Sequence, residues 1–396
     1  MKSIKYLLLS VVLLASACRK DAPELMNPNE SRMTSTPSQV FETFWRAMNN
    51  TYVFWDIDPT DWDKIHDDYL PRFRELDALE TVETEKLQEL YTEICENLVD
   101  HHFSLVIIND KAPEDAETRQ IAVQPGFDEA MSRDYFHLYF SWEAFWSCIA
   151  KYKSAGRISD FTEGHNKDMY ACSYNIDDGI IYFHLSVFAI SDAKPDDPED
   201  TVMEAVDNYL RLIQETPEIK GVILDVRGNS GGYLADMQYT IAPLIDEELL
   251  IGYTRVKEGL GRLDYAPWIP STLTPAARHR KVEAPVVALT DILSYSMAEM
   301  TAMAVSELPG GCVIGERTLG ATGPLTDNYA FSYSGQVNNP YMMIYTSTAM
   351  IKDAKGVNHE GVGVTPDIEV FYDEAAMESG TDVQLDRAIE YIHTGR

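Results

Sequence analysis

Three stretches of apolar residues at helical spacing occupy the first hundred residues after the N-terminal segment. The first stretch lies between Phe41 and Met48, and two others follow at 69–76 and 87–98. Apolar positions that recur every three or four residues give an amphipathic helix with one buried stripe. Three such stripes in succession predict a small helical bundle over residues 38–103.

Further along the chain the pattern changes to short apolar runs that alternate with amphipathic stretches. The runs at 180–185, 221–226 and 284–289 are dense in Ile, Val and Leu, as in strands that are buried on both faces. The amphipathic stretches predict helices at 201–215, 233–245 and 296–308. Because strands that alternate with helices form a sheet covered by helices, the predicted fold class is α/β. Residues 104–172 are less regular, with one predicted helix around Trp142.

A serine lies where the third of these strands leads into its helix. The turn Asp-Ile-Leu-Ser-Tyr at 291–295 is followed by Ser296 and then by Met297. The first amides of a helix lack partners within the helix and carry partial positive charge. The amide of Met297 is therefore suited to bind an oxyanion, as acyl transfer requires. Serine also caps helices, so position alone leaves a nucleophile and a cap as alternatives for Ser294 and Ser296.

Two other segments carry residues suited to the same chemistry. The loop Gly-Asn-Ser-Gly-Gly at 228–232 follows the second strand, and its glycines allow positive φ and close approach of the backbone. Its amides are candidates for a second oxyanion donor, although a plain strand-to-helix turn is the alternative. The run Asp-His-His at 100–102 ends the helical region. A histidine there is either a general base or a helix C-cap.

Together these segments resemble peptidase family S41, the C-terminal-processing and tricorn-like serine peptidases. Four motifs occur in the family's order: Arg-Gly-Asn-x-Gly-Gly at 227–232, Ser-x-Ser-x-x-Glu at 294–299, Gly-Glu-x-Thr-x-Gly at 315–320, and Gly-Val-x-Pro-Asp at 363–367. The resemblance implies a catalytic core of the crotonase/ClpP-like type and the hydrolysis of peptide bonds. It also implies that Ser296, rather than Ser294, is the nucleophile.

The resemblance bears on the base as well. Family members with a Ser-Lys dyad carry their lysine where this chain has Ala321, and no other lysine lies nearby. The tricorn-like branch takes a histidine from an Asp-Gly-His motif, and residues 100–102 resemble it with His101 in place of glycine. His102 is then the expected base and Glu360 the residue that supports it, directly or through another polar group. Spacing leaves His101 open as the base. With Ser296 as nucleophile, the candidate oxyanion donors are the amide of Met297 and that of Gly231 or Gly232.

The N-terminus has the pattern of an export signal. Two lysines precede an apolar stretch at 6–14 that is too short to span a membrane. The run Leu-Ala-Ser-Ala-Cys at 14–18 resembles a bacterial lipoprotein processing site, in which Cys18 becomes the lipidated first residue. An ordinary signal peptide that leaves a free thiol is the alternative. We expect a lipid-anchored protein of the cell envelope, at the outer membrane, on its periplasmic or surface face.

Composition narrows the classes of partner and cofactor. The net charge of −32 disfavours binding to nucleic acid or to anionic lipid headgroups. The spacing of the remaining cysteines gives no metal-binding motif, so we expect no metal and no cofactor. In an exported protein these cysteines either pair or remain buried as free thiols. They are Cys95, Cys148, Cys172 and Cys312.

The sequence therefore predicts five segments. They are a lipoprotein signal peptide (1–17), a flexible tether (18–37), a helical bundle (38–103), an intervening region that is at most a degenerate PDZ domain (104–172), and the S41-type catalytic core (173–396). The expected function is that of a serine endopeptidase with a Ser296, His102 and Glu360 site, acting on a peptide or protein substrate and touching the membrane through its lipid only. The alternative is a catalytically inert binding lipoprotein on the same scaffold, suggested by His101 at the family's glycine and by the missing lysine.

Overall fold

The computed structural model describes residues 36–138, 140–326 and 333–396. Its helices are α1 Pro37–Thr51, α2 Trp62–Asp77, α3 Thr84–Cys95, α4 Pro125–Met131, α5 Trp142–Ser154, α6 Val202–Glu215, α7 Met237–Thr240, α8 Met297–Val305, α9 Glu374–Glu378 and α10 Val383–Thr394. Its strands are β1 Ser104–Ile108, β2 Gln120–Val123, β3 Ile158–His165, β4 Tyr170–Ile176, β5 Ile180–Leu185, β6 Gly221–Asp225, β7 Leu249–Val256, β8 Ile269–Leu273, β9 Val286–Thr290, β10 Cys312–Gly315, β11 Val337–Asn339, β12 Met342–Tyr345, β13 Ala349–Lys352 and β14 Ile368–Glu369.

The proposed signal peptide, Cys18 and nearly all of the proposed tether lie outside the described residues. None of the helices within the described ranges is long and apolar enough to cross a membrane.

The three predicted N-terminal helices are present as α1, α2 and α3. The side chain of Thr36 accepts a hydrogen bond from the amide of Gln39 and so caps α1, and Asp61 caps α2 in the same way. Trp45 and Trp62 cross-link the first two helices, because each indole N–H donates to the other residue's carbonyl, at 2.7 and 3.0 Å. The apolar stripes meet in a common core that is rich in aromatic side chains.

This bundle shares its core with strands from distant parts of the chain. Strand β1 pairs antiparallel with β12, Ser104 opposite Tyr345, and with β2 on its other side, in a four-stranded sheet of order β11-β12-β1-β2. Apolar residues of this sheet pack into the core of the bundle. The helices before residue 103 and the strands after it are therefore parts of one packing unit.

A second, larger sheet has seven strands in the order β14-β10-β9-β6-β5-β4-β3. Its strands are parallel from β14 to β5, and β4 and β3 continue it antiparallel. Alternate residues of β5 enter two separate cores: Ile181 and Phe183 face α6 and α8, whereas Ile180 and Tyr182 face α5 and α10. This arrangement confirms the predicted α/β class.

Two details differ from the expectation. The large sheet begins at β3, so residues 158–172, which the sequence placed in an intervening region, belong to the core sheet. The predicted helix at 233–245 is wrong: the segment forms a 3-10 turn at Leu234–Asp236, the short α7 and a second 3-10 turn at Ala242–Leu244. Pro243 has no amide hydrogen to continue a helix.

Candidate active site

Ser296 stands at the junction of β9, a turn and α8, as the sequence pattern predicted. It is the N-cap of α8 and has φ 59° and ψ −120°. Positive φ is uncommon in residues with a side chain and marks a backbone held in place by its surroundings. Ser296 is one of only four non-glycine residues with positive φ in the described ranges, and the other three are aspartates. The chain thus lifts this hydroxyl out of a tight turn at the start of a helix.

Ser294 has a different role. It is fully buried, its hydroxyl donates to the carbonyl of Val226 at 2.7 Å, and it accepts a hydrogen bond from the amide of Asp291 at 3.0 Å. These contacts join the turn before Ser296 to the end of β6. The Ser294 hydroxyl therefore already acts as both donor and acceptor within the fold, which favours Ser296 as the nucleophile.

The glycine loop lies directly against Ser296. A Cβ added to Gly231 would stand 2.4 Å from the Cβ of Ser296 and 2.9 Å from its Oγ. Within the described residues, the backbone N–H groups of Gly232 and Met297 donate no hydrogen bond. The amide of Gly231, however, donates to Oδ1 of Asn229 at 2.7 Å. The expectation that Gly231 is an oxyanion donor is thus not met in this conformation, because its N–H already has a partner.

The two histidines of the Asp-His-His run are held in different ways. Nδ1 of His101 lies 2.9 Å from the carbonyl oxygen of Leu319. The ring also packs under α4, since a Cβ on Gly126 would come within 2.6 Å of the Cβ of His101. His101 therefore has a fixed structural contact in the loop that follows β10.

His102 lies next to the nucleophile's turn. Its ring centroid is 6.2 Å from that of Tyr295, the residue before Ser296, and its buried Nδ1 forms no hydrogen bond within the described part of the chain. Burial lowers the pKa of His102, while the Asp100 carboxylate and the backbone of Gly323 act in the opposite direction. A neutral imidazole is the form that a general base requires.

In the described part of the chain, Glu360 binds the backbone around the histidines and forms no hydrogen bond to the His102 ring. Its Oε1 accepts from the amide of His101 at 3.0 Å, and its Oε2 accepts from the amides of Thr322 and Gly323 at 2.8 and 2.7 Å. Burial raises the pKa of Glu360 well above its usual range, and the nearby Asp100 raises it further. Since the backbone of Gly323 favours the charged form of His102, Glu360 reaches the imidazole through this residue.

Asp100 organises this region through contacts that the sequence motif alone does not indicate. Its fully buried carboxylate accepts hydrogen bonds from the amide of His102 at 3.0 Å, the hydroxyl of Thr346 at 2.6 Å and both the amide and hydroxyl of Ser347. The amide of Asp100 donates to the hydroxyl of Tyr52 in the bundle. The sequence signal was an Asp directly before two histidines, but Thr346 and Ser347 lie almost 250 residues away and could not be recognised as its partners from the sequence.

Glu299 is the second organising carboxylate. It is fully buried at the first turn of α8 and accepts hydrogen bonds from the amides of Ser296, Gly320 and Ala321 at 3.2, 2.9 and 2.9 Å, as well as from the hydroxyl of Thr318. Burial raises its pKa to about 7, although all four hydrogen bonds oppose that shift. Ala321, at the position of the missing lysine, is likewise buried, and its carbonyl accepts the amide of Ser296 at 3.0 Å.

A buried ion network fixes the strand that carries the glycine loop. The Arg227 guanidinium donates to the carboxylates of Asp225 and Asp382 and to the side chain of Gln384, and all four groups are buried. Asp382 and Gln384 belong to the start of α10. The C-terminal helix therefore clamps the arginine of the first S41-like motif, immediately before the loop that lies against Ser296.

Two protein-family profiles match this chain. The profile described as peptidase family S41 matches residues 179–370, and that described as the tricorn protease C1 domain matches residues 34–77. With the Tricorn protease relatives, these matches support a tricorn-like peptidase of family S41. The S41 match includes β5 to β14 with Ser296, and the tricorn match includes the first two helices of the bundle.

Individual relatives of this S41 chain are distant in sequence. Tricorn protease of Thermoplasma acidophilum is 27% identical over 193 residues, which are 49% of this chain but only 16% of tricorn. A crystal structure described as a putative peptidase from Parabacteroides merdae has a TM-score of 0.65 at 23% identity and covers 92% of this chain and 98% of its own. Mature CPAF has a TM-score of 0.59 at 13% identity, over 91% and 98% of the two chains. The similarity to the Parabacteroides merdae and CPAF structures is a similarity of fold alone, because both are distant in sequence.

Proposed function

We propose that this chain is a serine endopeptidase in which Ser296 is the nucleophile and His102 the general base. One observation carries the proposal. A serine with φ 59° at a helix start follows Tyr295, whose ring centroid lies 6.2 Å from that of His102, and the buried Nδ1 of His102 has no partner in the described ranges. A serine hydroxyl is a weak nucleophile until a base takes its proton during attack, and histidine has suitable basicity.

In the proposed reaction each residue has one task. His102 takes the proton of Ser296 as the hydroxyl attacks the scissile carbonyl, and returns it to the leaving amine. Glu360 holds the backbone of Gly323, which favours the charged imidazole formed at that moment. The amides of Met297 and Gly232 are the proposed oxyanion donors, each worth roughly 3 kcal/mol of transition-state stabilisation. Gly231 would join them only if its amide left Asn229.

The occupied amide of Gly231 is also the observation that favours the alternative, an inert binding protein on the same scaffold. A hydrogen bond of 2.7 Å to Asn229 withdraws one of the expected oxyanion donors. In that case the serine would be retained without acyl transfer, and the cleft would hold a peptide without cutting it.

Reaction of the serine with a fluorophosphonate probe separates the two functions. The soluble form starting after Cys18 is treated with the probe beside Ser296→Ala, His102→Ala and His101→Ala, and the labelled residue is located by mass spectrometry. The peptidase proposal expects labelling at Ser296 that is lost in the first two variants and retained in His101→Ala. Loss in His101→Ala with retention in His102→Ala would instead make His101 the base. No labelling of the wild type would favour the inert scaffold.

We further propose that the protein is held at the cell envelope by a lipid on Cys18, with peptides or proteins outside the cytoplasm as substrates. The pattern of residues 1–18 supports this, and the residues between Cys18 and the first helix at Pro37 are the proposed tether. Incorporation of radiolabelled palmitate into the full chain, absent in Cys18→Ala, is the expected result. Secretion of an unlabelled wild-type protein would contradict it.

A further inference from the structure

Four consecutive backbone amides next to the site all point at carboxylates. The amides of Gly320 and Ala321 donate to Glu299 at 2.9 Å each, and those of Thr322 and Gly323 donate to Glu360 at 2.8 and 2.7 Å. We call residues 320–323 the bracket. A backbone segment whose every amide is bound by a buried charge has little freedom to shift, because each lost bond would leave a buried polar group unsatisfied.

Each of the two carboxylates also accepts a backbone amide of the candidate site, Glu299 on the side of the nucleophile and Glu360 on the side of the base. Glu299 also accepts the amide of Ser296, at 3.2 Å, and the bracket itself accepts that same amide through the carbonyl of Ala321. Glu360 also accepts the amide of His101, next to the base, at 3.0 Å. The bracket therefore connects the backbone of the nucleophile to the backbone beside the base.

We infer that the bracket, through its anchors Glu299 and Glu360, sets Ser296 against His102, and that Glu299 is a positioning residue that holds Ser296 only while it is ionised. The inference rests on the function proposed above. Glu299 faces four donors and no acceptor in the described contacts. A protonated carboxyl would carry a hydrogen into this set of donors, and at least one of the four bonds would be lost.

The charged groups around Glu299 come from several elements. Glu360 lies across the bracket and interacts with it electrostatically. Arg133 donates to the carbonyls of Thr318 and Leu319 at 2.7 and 3.0 Å, on the segment that leads into the bracket. The pair of His101 and His102, with Asp100, lies beyond Glu360. Because burial outweighs the surrounding donors and raises the pKa of Glu299 to about 7, its ionisation is expected near neutral pH.

The pH at which reactivity is lost separates Glu299 from the base. The pKa of His102 is lowered from 6.5, so loss of the base through protonation falls below that pH. Protonation of Glu299 falls near pH 7. The wild type should therefore lose fluorophosphonate reactivity in two steps as the pH decreases from 8, the first near pH 7 from relaxation of Ser296 and the second at lower pH from protonation of His102.

The test is the rate of Ser296 labelling between pH 5 and 8.5 in wild type and Glu299→Gln. An uncharged amide cannot accept all four bonds, so the rate at pH 8 should fall roughly tenfold to a hundredfold, as small misplacements of reacting groups do. The step near pH 7 should vanish while the lower step remains. Asp77→Asn is the matched control, because Asp77 also accepts a backbone amide, that of Ser38, but lies in the distant bundle. It should keep both steps.

A second variant covers the case in which Glu299→Gln does not fold. Thr318→Val keeps the shape of the side chain and removes the hydroxyl that favours ionised Glu299. The upper step should then move to higher pH. The inference about the bracket is wrong if the step near pH 7 is unchanged in both variants, or if it persists in Glu299→Gln although the labelling rate at pH 8 has fallen. Either result leaves the peptidase proposal intact. A wild type that is unreactive at every pH overturns both.

Discussion

Gly231 lies against Ser296 with no space for a side chain between them: a Cβ on the glycine would stand 2.4 Å from the Cβ of the serine and 2.9 Å from the amide nitrogen of Met297. The contact is between two residues of positive φ, 88° for the glycine and 59° for the serine. The loop after β6 can therefore approach the turn before α8 this closely only with a glycine at position 231.

Gly231→Ala should abolish fluorophosphonate labelling, or slow it by at least about a hundredfold, since it moves the nucleophile or the neighbouring amide. It should also destabilise the fold by more than the roughly 1–2 kcal/mol that positive φ costs an alanine. Gly156→Ala is the matched control, because Gly156 has φ 70° and a Cβ there would meet nothing within 4 Å. Urea denaturation and labelling rates measure both effects. Equal losses of stability in the two variants, with labelling retained, would contradict the contact.

Arg227 should be far more important to stability than an exposed arginine with as many ion pairs. Replacing it by methionine leaves the buried carboxylates of Asp225 and Asp382 without their cation, for which about 3–5 kcal/mol of lost stability is expected. Arg211 pairs with Asp160 and Glu215, but its side chain is 40% exposed, so Arg211→Met should cost within about 1 kcal/mol. Denaturant titration of both variants is the measurement. A small effect of Arg227→Met would show that α10 does not depend on this network.

Local patterns along the chain were sufficient for the parts of the fold that depend on local rules. Apolar residues at helical spacing predicted α1, α2 and α3, and the apolar runs predicted β5, β6 and β9. The turn that carries Ser296 could be recognised because strand, turn and helix are contiguous. The apolar spacing at 233–245 is that of a single helix, but Pro243 cannot continue one, and the segment forms short turns instead.

Contacts between distant residues could not be predicted in this way. Strand β1 finds its partner β12 more than two hundred residues later, and Glu360 binds the amide of His101 across a similar separation. The occupied amide of Gly231 depends on where the Asn229 side chain turns, which spacing does not determine. Residue types therefore indicated the chemistry, whereas the donors and acceptors that position it needed the three-dimensional structure.

The cysteines should be unreactive in the folded protein. Cys95, Cys148, Cys172 and Cys312 are all free and buried, and burial raises the pKa of each thiol, to about 12 for Cys148 and about 11 for Cys312. Since the thiolate is the reactive form, a disulfide reagent at pH 8 should find no accessible thiol in the soluble form starting after Cys18 and four after denaturation in urea. Rapid reaction of the native protein would indicate that one of these sites opens.

Asp291 should make the stability of the protein depend on pH. Its buried carboxyl accepts the amide of Gly228 at 3.0 Å, and burial raises its pKa to about 6 from 3.8, with His137 acting in the opposite direction. Between about pH 4 and pH 6 the folded protein keeps a proton that the unfolded chain has lost. The contribution of Asp291 to stability therefore decreases as the pH rises through this range and is constant above it.

Asp291→Asn removes this titration, so the stability of the variant relative to wild type should improve by up to about 3 kcal/mol between pH 4 and pH 7.5. The measurement is urea denaturation of both proteins at the two pH values. Ile292→Val, at the next and equally buried position, removes a methyl group without a charge and should show the same difference from wild type at both. If the difference for Asp291→Asn were also independent of pH, the Asp291 carboxyl would have to ionise as readily in the folded protein as in the unfolded chain. Its turn before Ser296 would then be stabilised by hydrogen bonds strong enough to offset complete burial.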